Sequence, residues 1–298
     1  MRSRRRGPLL LGVGRDGLAV IRPGPGRAAP LLLGVQALPA NSANSASSAN
    51  TADSSDSSRI AQALSTLLDT LVAGHDLAGM AVHVVLDGHW TRHWITEPPA
   101  NARSLADCRT AAAVRFDMLY DEPLDSWHWT ADWQLNAPAL CCAMPKALLL
   151  TLQQACASHR LLLRGMAPHF AVVWNRWHTQ LTEQAWLVLL HQSVVTLGLV
   201  EGGRLQALRR LGPLEASADN GNWLRALIHR EALRSQLAMP DKLLLCDDLA
   251  LGWQTGEFGG WACVRPLPPG AGMAWTAGDA GDDPATAGAV RLACEALP

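Results

Sequence analysis

Leu9-Leu10-Leu11-Gly12-Val13-Gly14-Arg15-Asp16-Gly17-Leu18-Ala19-Val20-Ile21 is the stretch on which the fold turns. Two apolar runs flank a short segment of glycines and charged residues, a pattern that reads as a tight β-hairpin. The glycines also match the Gly-x-Gly-x-x-Gly spacing of a dinucleotide site, but that site needs a helix directly after them. Leu18-Ala19-Val20-Ile21 reads instead as the returning strand, so the glycines are turn residues. About 175 residues further on, Trp186 to Leu190, Val194 to Val200 and Arg204 to Leu211 form a second strand meander with a Glu201-Gly202-Gly203 turn. Each half continues into a helix and then a buried strand, Leu243 to Cys246 in the second. A supersecondary unit used twice predicts two similar lobes facing a cleft.

Between these anchors the chain is punctuated clearly. Pro30 to Leu38 is a strand, and Asn41 to Ser58 is almost wholly Ser, Ala, Asn and Asp, too polar to pack, so it is expected as a disordered loop (41–58). Ser58 then caps a helix whose Ile60, Leu64, Leu67, Leu68 and Leu71 recur at helical spacing. Ala81 to Leu86, Asp87-Gly88 and His89 to Ile95 read as a hairpin with a two-residue turn. Ser104 to Tyr120 is a helix capped at Ser104, Trp127 to Leu135 and Ala139 to Ala143 are strands, and Pro145 opens a helix through His159. The expected organisation is a basic N-terminal tip (1–8), then a first lobe (9–167) with a small inserted subdomain at about 80–145. A second lobe (168–265) and a flexible tail (266–298) rich in Gly, Ala, Pro and Asp complete it.

Composition sets limits on function. The 298 residues are 49 % hydrophobic and 17 % charged, which fits a well-buried globular chain. With Lys+Arg 25 against Asp+Glu 26 there is no basic field to hold nucleic acid. Arg2 to Arg6 precede an apolar run that Gly12, Gly14 and Asp16 break at once, too short for an export signal. Trp186 to Val200, the most hydrophobic window, falls short of the roughly 20 apolar residues of a membrane helix, so no integral membrane protein is expected. Seven cysteines, odd in number and never spaced as a metal knuckle, suggest a reducing compartment.

Few constellations carry chemistry. On a strand, His89 and His93 share a face about 13 Å apart, so Asp87, His89 and His93 do not converge on one metal ion. Cys141-Cys142 sits in an apolar strand, where cysteines behave as small hydrophobes, and gives slender support to a thiol enzyme. Asp247-Asp248, after a buried strand, is the best carboxylate pair, although a turn or helix cap is the commoner use of such a pair. Twelve tryptophans stand beside one tyrosine and three phenylalanines; Trp90, Trp94, Trp127, Trp129 and Trp133 crowd together and could fill a core or border a partner groove.

The order of elements and several segments resemble the PilM and GspL branch of the actin-like ATPase superfamily, cytoplasmic scaffolds of type IV pilus and type II secretion machines. Leu10 to Gly17 is similar to the family's first phosphate hairpin, and Val82 to Ile95 with Pro98 to the strand pair before its amphipathic helix. Leu140 to Lys146 resembles its strand–proline–helix step, and Trp186 to Leu211 its second phosphate meander with the Arg-rich strand. The resemblance implies an α/β, actin-like (ribonuclease H-like, duplicated), two-lobed fold with mixed sheets.

Two departures bear on activity. Where the family's hairpins carry Asp-x-Gly, this chain has Gly12 with Gly14 in the first and Leu189-Leu190-His191 in the second; Asp16 lies in the turn. Gly12, Gly14 and Asp16 are thus degenerate phosphate-loop remnants, and without a carboxylate to hold magnesium phosphoryl transfer loses its main electrostatic support. The expectation is a pseudo-ATPase with no catalytic residue, no metal and no cofactor. ATP with magnesium belongs to the alternative, a residual nucleotide-binding ATPase or sugar-kinase-like enzyme. The implied partner is the cytoplasmic tail of an inner-membrane pilus or secretion protein, with the chain cytoplasmic and recruited to the inner membrane face. Trp90, Trp94, Phe116, Met118 and Tyr120 are the candidate partner-binding residues, with the first lobe's core as the competing use.

Overall fold

The computed structural model describes residues 7–24, 29–39, 54–133, 135, 137–181, 184–192, 194–212, 220–246, 256–258, 261–264 and 284–297. In chain order the first elements are β1 (Leu9–Val13), β2 (Gly17–Arg22), β3 (Leu31–Ala37), α1 (Ser54–Gly74), β4 (Ala81–Leu86) and β5 (Arg92–Thr96). There follow α2 (Leu105–Tyr120), β6 (Trp127–Ala131), β7 (Ala139–Pro145), α3 (Lys146–Ser158), β8 (Leu162–Pro168) and α4 (His169–Trp177). The remainder is β9 (Ala185–His191), β10 (Val194–Glu201), β11 (Arg204–Leu211), α5 (Asn220–Ser235), β12 (Lys242–Cys246), β13 (Gly256–Phe258), β14 (Trp261–Val264) and α6 (Pro284–Glu295).

The expected duplication is visible in the strand order. One sheet runs β3-β2-β1-β4-β8 and another β11-β10-β9-β12-β14-β13. In each, an antiparallel meander of three strands is followed by two parallel strands; β13 adds an antiparallel edge to the second. β1 is buried along its whole length because both faces of the first sheet are covered. Leu9, Leu11 and Val13 point to α1, whose Ile60, Leu64, Leu67, Leu68 and Leu71 form that core. Leu10 and Ile21 point the other way, to Ala293 of α6. Burying a leucine-sized side chain stabilises by roughly 1.5–3 kcal/mol, so the α1 stripe alone anchors the helix. In the second sheet α5 covers one face through Leu224, Leu227 and Ile228. Phe170 and Val173 of α4, with Leu140 and Cys142 of β7, cover the other.

The third sheet, β5-β7-β6, is antiparallel and forms the inserted subdomain with α2. The helix begins where its sequence predicts. Ser104 accepts from the Asp107 N–H while the Asp107 carboxylate accepts from the Ser104 N–H, a capping box. Trp94, Ala112, Phe116 and Trp127 fill the interior between helix and sheet.

Four expectations are corrected. Ala81 to Ile95 is not a hairpin: β4 pairs with β1 and β8 and stays in the first sheet, whereas β5 pairs with β7. Asp87 has φ −56°, outside the left-handed region a two-residue type I′ turn requires, and its carboxylate instead accepts the His89 N–H and starts a 3-10 turn over Gly88–Trp90. The insertion therefore begins after β4 rather than near residue 80. Ser54 to Ser58, placed in the disordered loop, is the first turn of α1, so Ser58 is not its cap; 41–53 lie outside the described residues. Within the expected flexible tail, α6 is an ordered helix packed on β1 and β2; 266–283 lie outside the described residues, as do 1–6 of the basic tip. The small residues that argued against packing are what let α6 approach so closely. Arg176 of α4 holds its end, donating to the Glu295 carboxylate (2.5 Å) and to the carbonyls of Glu295 (2.7 Å) and Leu297 (2.6 Å), a cation at a helix C-terminus.

Candidate functional site

The corner after β4 is pinned to the first hairpin. The Asp87 N–H donates to the Val13 carbonyl (2.9 Å), and the Trp90 indole N–H donates to the Gly14 carbonyl (2.9 Å). This fixes a buried carboxylate at the floor of the cleft between the lobes. Asp87 Oδ1 accepts from the His89 N–H (2.5 Å), and Oδ2 lies 3.3 Å from His191 Nε2 at the end of β9. His169, the first residue of α4, sets its ring edge-on to His191 with centroids 4.9 Å apart. From the second lobe Arg210 of β11 reaches across and donates to the Gly88 carbonyl (2.5 Å). From the insertion come His93 of β5 and Tyr120 of α2, whose hydroxyl donates to the His93 carbonyl (2.7 Å). With Phe170, Leu189 and Leu208 these side chains enclose a cavity of about 310 Å³.

The electrostatics follow from burial. His93, His169 and His191 are each pushed down to about 3, in every case chiefly by desolvation of the charged ring. Arg210 and Arg92 add to the effect at His93, the neighbouring His191 at His169, and Arg291 at His191. All three imidazoles are therefore neutral near pH 7. A base with so low a pKa is poorly matched to proton transfer there, so the arrangement is suited to recognition more than to acid–base chemistry. Among the described residues no group of three or more His, Cys, Asp or Glu is placed to hold a metal ion.

The sequence-predicted residues are dispersed by the fold. Gly12 lies beneath α6, where a Cβ would run into the Ala289 carbonyl and come within 2.7 Å of the Ala293 nitrogen. Gly14 closes the hairpin turn, its N–H donating to the Gly17 carbonyl (2.9 Å), and Asp16 is exposed beside Arg15. None of the three lines the cavity, whereas Leu189 and His191 of the second hairpin do. The expected partner groove is not assembled on the surface. Trp90 (2 % exposed) belongs to the first lobe's core, and Trp94 (2 %) and Phe116 (0 %) to the insertion's, with the Trp94 indole donating to the Ala112 carbonyl (3.1 Å). Tyr120 is half-buried at the cavity wall, and Met118, 72 % exposed, stands outside. Cys141 is buried with its thiol pushed up to about 12 by desolvation, and that of Cys142 is pushed up further, unlike a reactive nucleophile. Asp247-Asp248 lies outside the described residues.

The grouping of Asp87, His169, His191 and Arg210 escaped the sequence reading. Its signal was present: His191 closes the fully buried strand β9, and Asp87 directly follows the buried end of β4, places where a polar side chain has to face something.

No protein-family model and no curated protein matches the chain. Solved structures do, and they define the class: this chain has the actin-like ATPase fold, with mixed sheets as expected. A chain of the PilM–PilN type IV pilus biogenesis complex is similar at TM-score 0.56 and 15 % identity, covering 99 % of this chain and 100 % of that one. A Bacteroides thetaiotaomicron protein with an actin-like ATPase fold and unknown function is similar at TM-score 0.52 and 11 % identity, with 88 % and 91 % covered. The cytoplasmic domain of EpsL, an inner-membrane component of the type II secretion system of Vibrio cholerae, matches at TM-score 0.47 and 9 % identity over 80 % and 82 %.

Proposed function

We propose that the protein is a non-catalytic assembly scaffold of a type IV pilus or type II secretion-like machine, working at the cytoplasmic face of the inner membrane and binding the cytoplasmic tail of a membrane component. The observation that carries this reading is the end-to-end likeness to a chain of the PilM–PilN complex, which leaves no large part of either chain unmatched. No helix among the described residues is long and apolar enough to cross a membrane. The residues present do not fit a magnesium nucleotide. Gly12 is committed to α6, the Asp16 carboxylate faces solvent, and the second hairpin offers a buried neutral imidazole, so neither hairpin supplies a carboxylate to the cleft. Partner contact then falls to accessible apolar surface; Met118 with Val114, one helical turn away on α2, provides it.

The test separates contact from fold. Met118→Ser with Val114→Ser should leave the melting temperature within about 2 °C, since exposed substitutions cost little, while reducing co-purification with tails of inner-membrane proteins encoded alongside. Trp94→Ala should instead cost roughly 3–5 kcal/mol of stability. Undiminished tail binding by the double variant would move the contact elsewhere. One observation favours the alternative, a residual nucleotide-binding enzyme: Asp87 is a buried acid in the cleft. Hydrolysis of ATP with magnesium above a denatured control, abolished by Asp87→Asn, would establish that reading in place of the scaffold.

A further inference from the structure

The cleft cavity has more hydrogen-bonding capacity than the protein uses. His93 Nε2 and both ring nitrogens of His191 are buried without a protein hydrogen-bond partner; Asp87 Oδ2, 3.3 Å from His191, is not in hydrogen-bond geometry. Leaving such groups unsatisfied is costly, an arrangement retained where a ligand uses them. Arg210 commits one N–H to the Gly88 carbonyl, and a guanidinium carries five. The other cation of the lining, Arg92, is already paired with Glu122 at 3.2 Å. Phe170 and Leu208 line the same cavity, Phe170 with its ring edge-on to His93 at 5.9 Å between centroids, so apolar wall adjoins the polar groups. Its volume of about 310 Å³ is at the small limit of ligand pockets.

Charge narrows the class. Arg210 attracts one negative group, but the Asp87 carboxylate lines the same cavity and repels a second or third. We propose that this cavity binds a small organic monocarboxylate, its carboxylate held by Arg210 and the imidazole N–H groups of His93 and His191, its apolar body on Phe170 and Leu208. Neutral, the His191 ring offers the ligand one donor and one acceptor, and His93 offers its Nε2. Gly12, Gly14 and Asp16 do not line the cavity, so the site is separate from the first hairpin's turn. Because His93 belongs to the insertion and Arg210 to the second sheet, an occupant joins the two. The inference does not rest on the scaffold reading and survives its failure.

Isothermal titration of the full chain with sodium benzoate tests it. Saturable one-to-one binding is expected, with Kd of about 1 mM or below, some −4 kcal/mol. Arg210→Gln should weaken it at least tenfold, while Asp87→Asn, which removes the like charge, should tighten it a few-fold. Inorganic phosphate and ATP with magnesium should bind more weakly than benzoate. Should Arg210→Gln fail to fold, since its bond to Gly88 joins the walls, Asp87→Asn and the ¹⁵N shift of the His93 ring on benzoate addition decide the matter. Absence of saturable benzoate binding, benzoate affinity indifferent to Asp87→Asn with an unmoved His93 signal, or displacement by lower concentrations of ATP each overturn the proposal.

Discussion

The hairpin of β1 and β2 and that of β9 and β10 hold equivalent places in two sheets of one strand order, yet they are finished by opposite means. The first carries glycine at Gly12 and Gly14, and the backbone of α6 lies directly on Gly12. The second ends in bulky polar residues: His191 fills the cleft, and Gln192, in the left-handed region at φ 46°, presses its side chain against Gly288 of the same helix. A shared topology thus leaves each hairpin free to be used as a packing surface or as the wall of a polar cavity. The chemistry of the cleft has to be read from side chains, hairpin by hairpin.

Acid should expose the second hairpin's side of this contrast, with the largest effect. His93, His169 and His191 are held at about 3 in the folded chain and return to 6.5 on unfolding. Between those values the unfolded chain binds more protons, so stability rises with pH across the window and levels above it. Each ring contributes up to about 1.4 kcal/mol per pH unit well inside the window, and urea titrations from pH 7.5 to 4.5 should lose several kcal/mol. His191→Leu should flatten the slope by one proton's worth; an unchanged slope would place that ring's titration elsewhere. Gly12→Ala probes the first hairpin and should cost about 3 kcal/mol, because helix backbone has to move, without altering the pH slope. Hydrogen exchange along α6 should accelerate in that variant.

Smaller effects sharpen the picture. Trp90→Phe removes the indole that binds the Gly14 carbonyl and should cost about 1–2 kcal/mol in urea unfolding, tying the corner after β4 to the first hairpin. The nearest atoms to a Cβ at Gly288 are Cγ, Cδ and Nε2 of the Gln192 side chain, which can turn aside more readily than helix backbone, so for Gly288→Ala less than about 1 kcal/mol is expected from the same measurement. A cost as large as that of Gly12→Ala would mean both hairpins hold α6 with equal rigidity.

The repeated meander was legible because alternation and turn residues are local signals, and Ser104 announced α2 for the same reason. Two kinds of information were not local. Asp87-Gly88 has the composition of a hairpin turn, and only the parallel pairing of β4 with β1 and β8 sends the chain into another sheet. The alanines and glycine of α6 resemble an unstructured tail until Gly12, far off in sequence, supplies the shallow surface they fit. The cleft site was hidden likewise: Asp87, His93, His169, His191 and Arg210 come from five separate elements or corners, and nothing in their spacing brings them together. The crowded tryptophans posed the reverse problem, since core and groove make the same demand for aromatic residues and burial alone decided between them.

The seating of α6 on β1 also orders events during synthesis. Ala289 and Ala293 are synthesised about 270 residues after Leu10, Ala19 and Ile21, the side chains they cover. At roughly 5–20 residues per second, the N-terminal sheet waits on the order of 15–60 seconds with one apolar face bare. For that interval the nascent chain is a client for chaperones, and a chain stopped before Pro284 yields a first lobe that stays one.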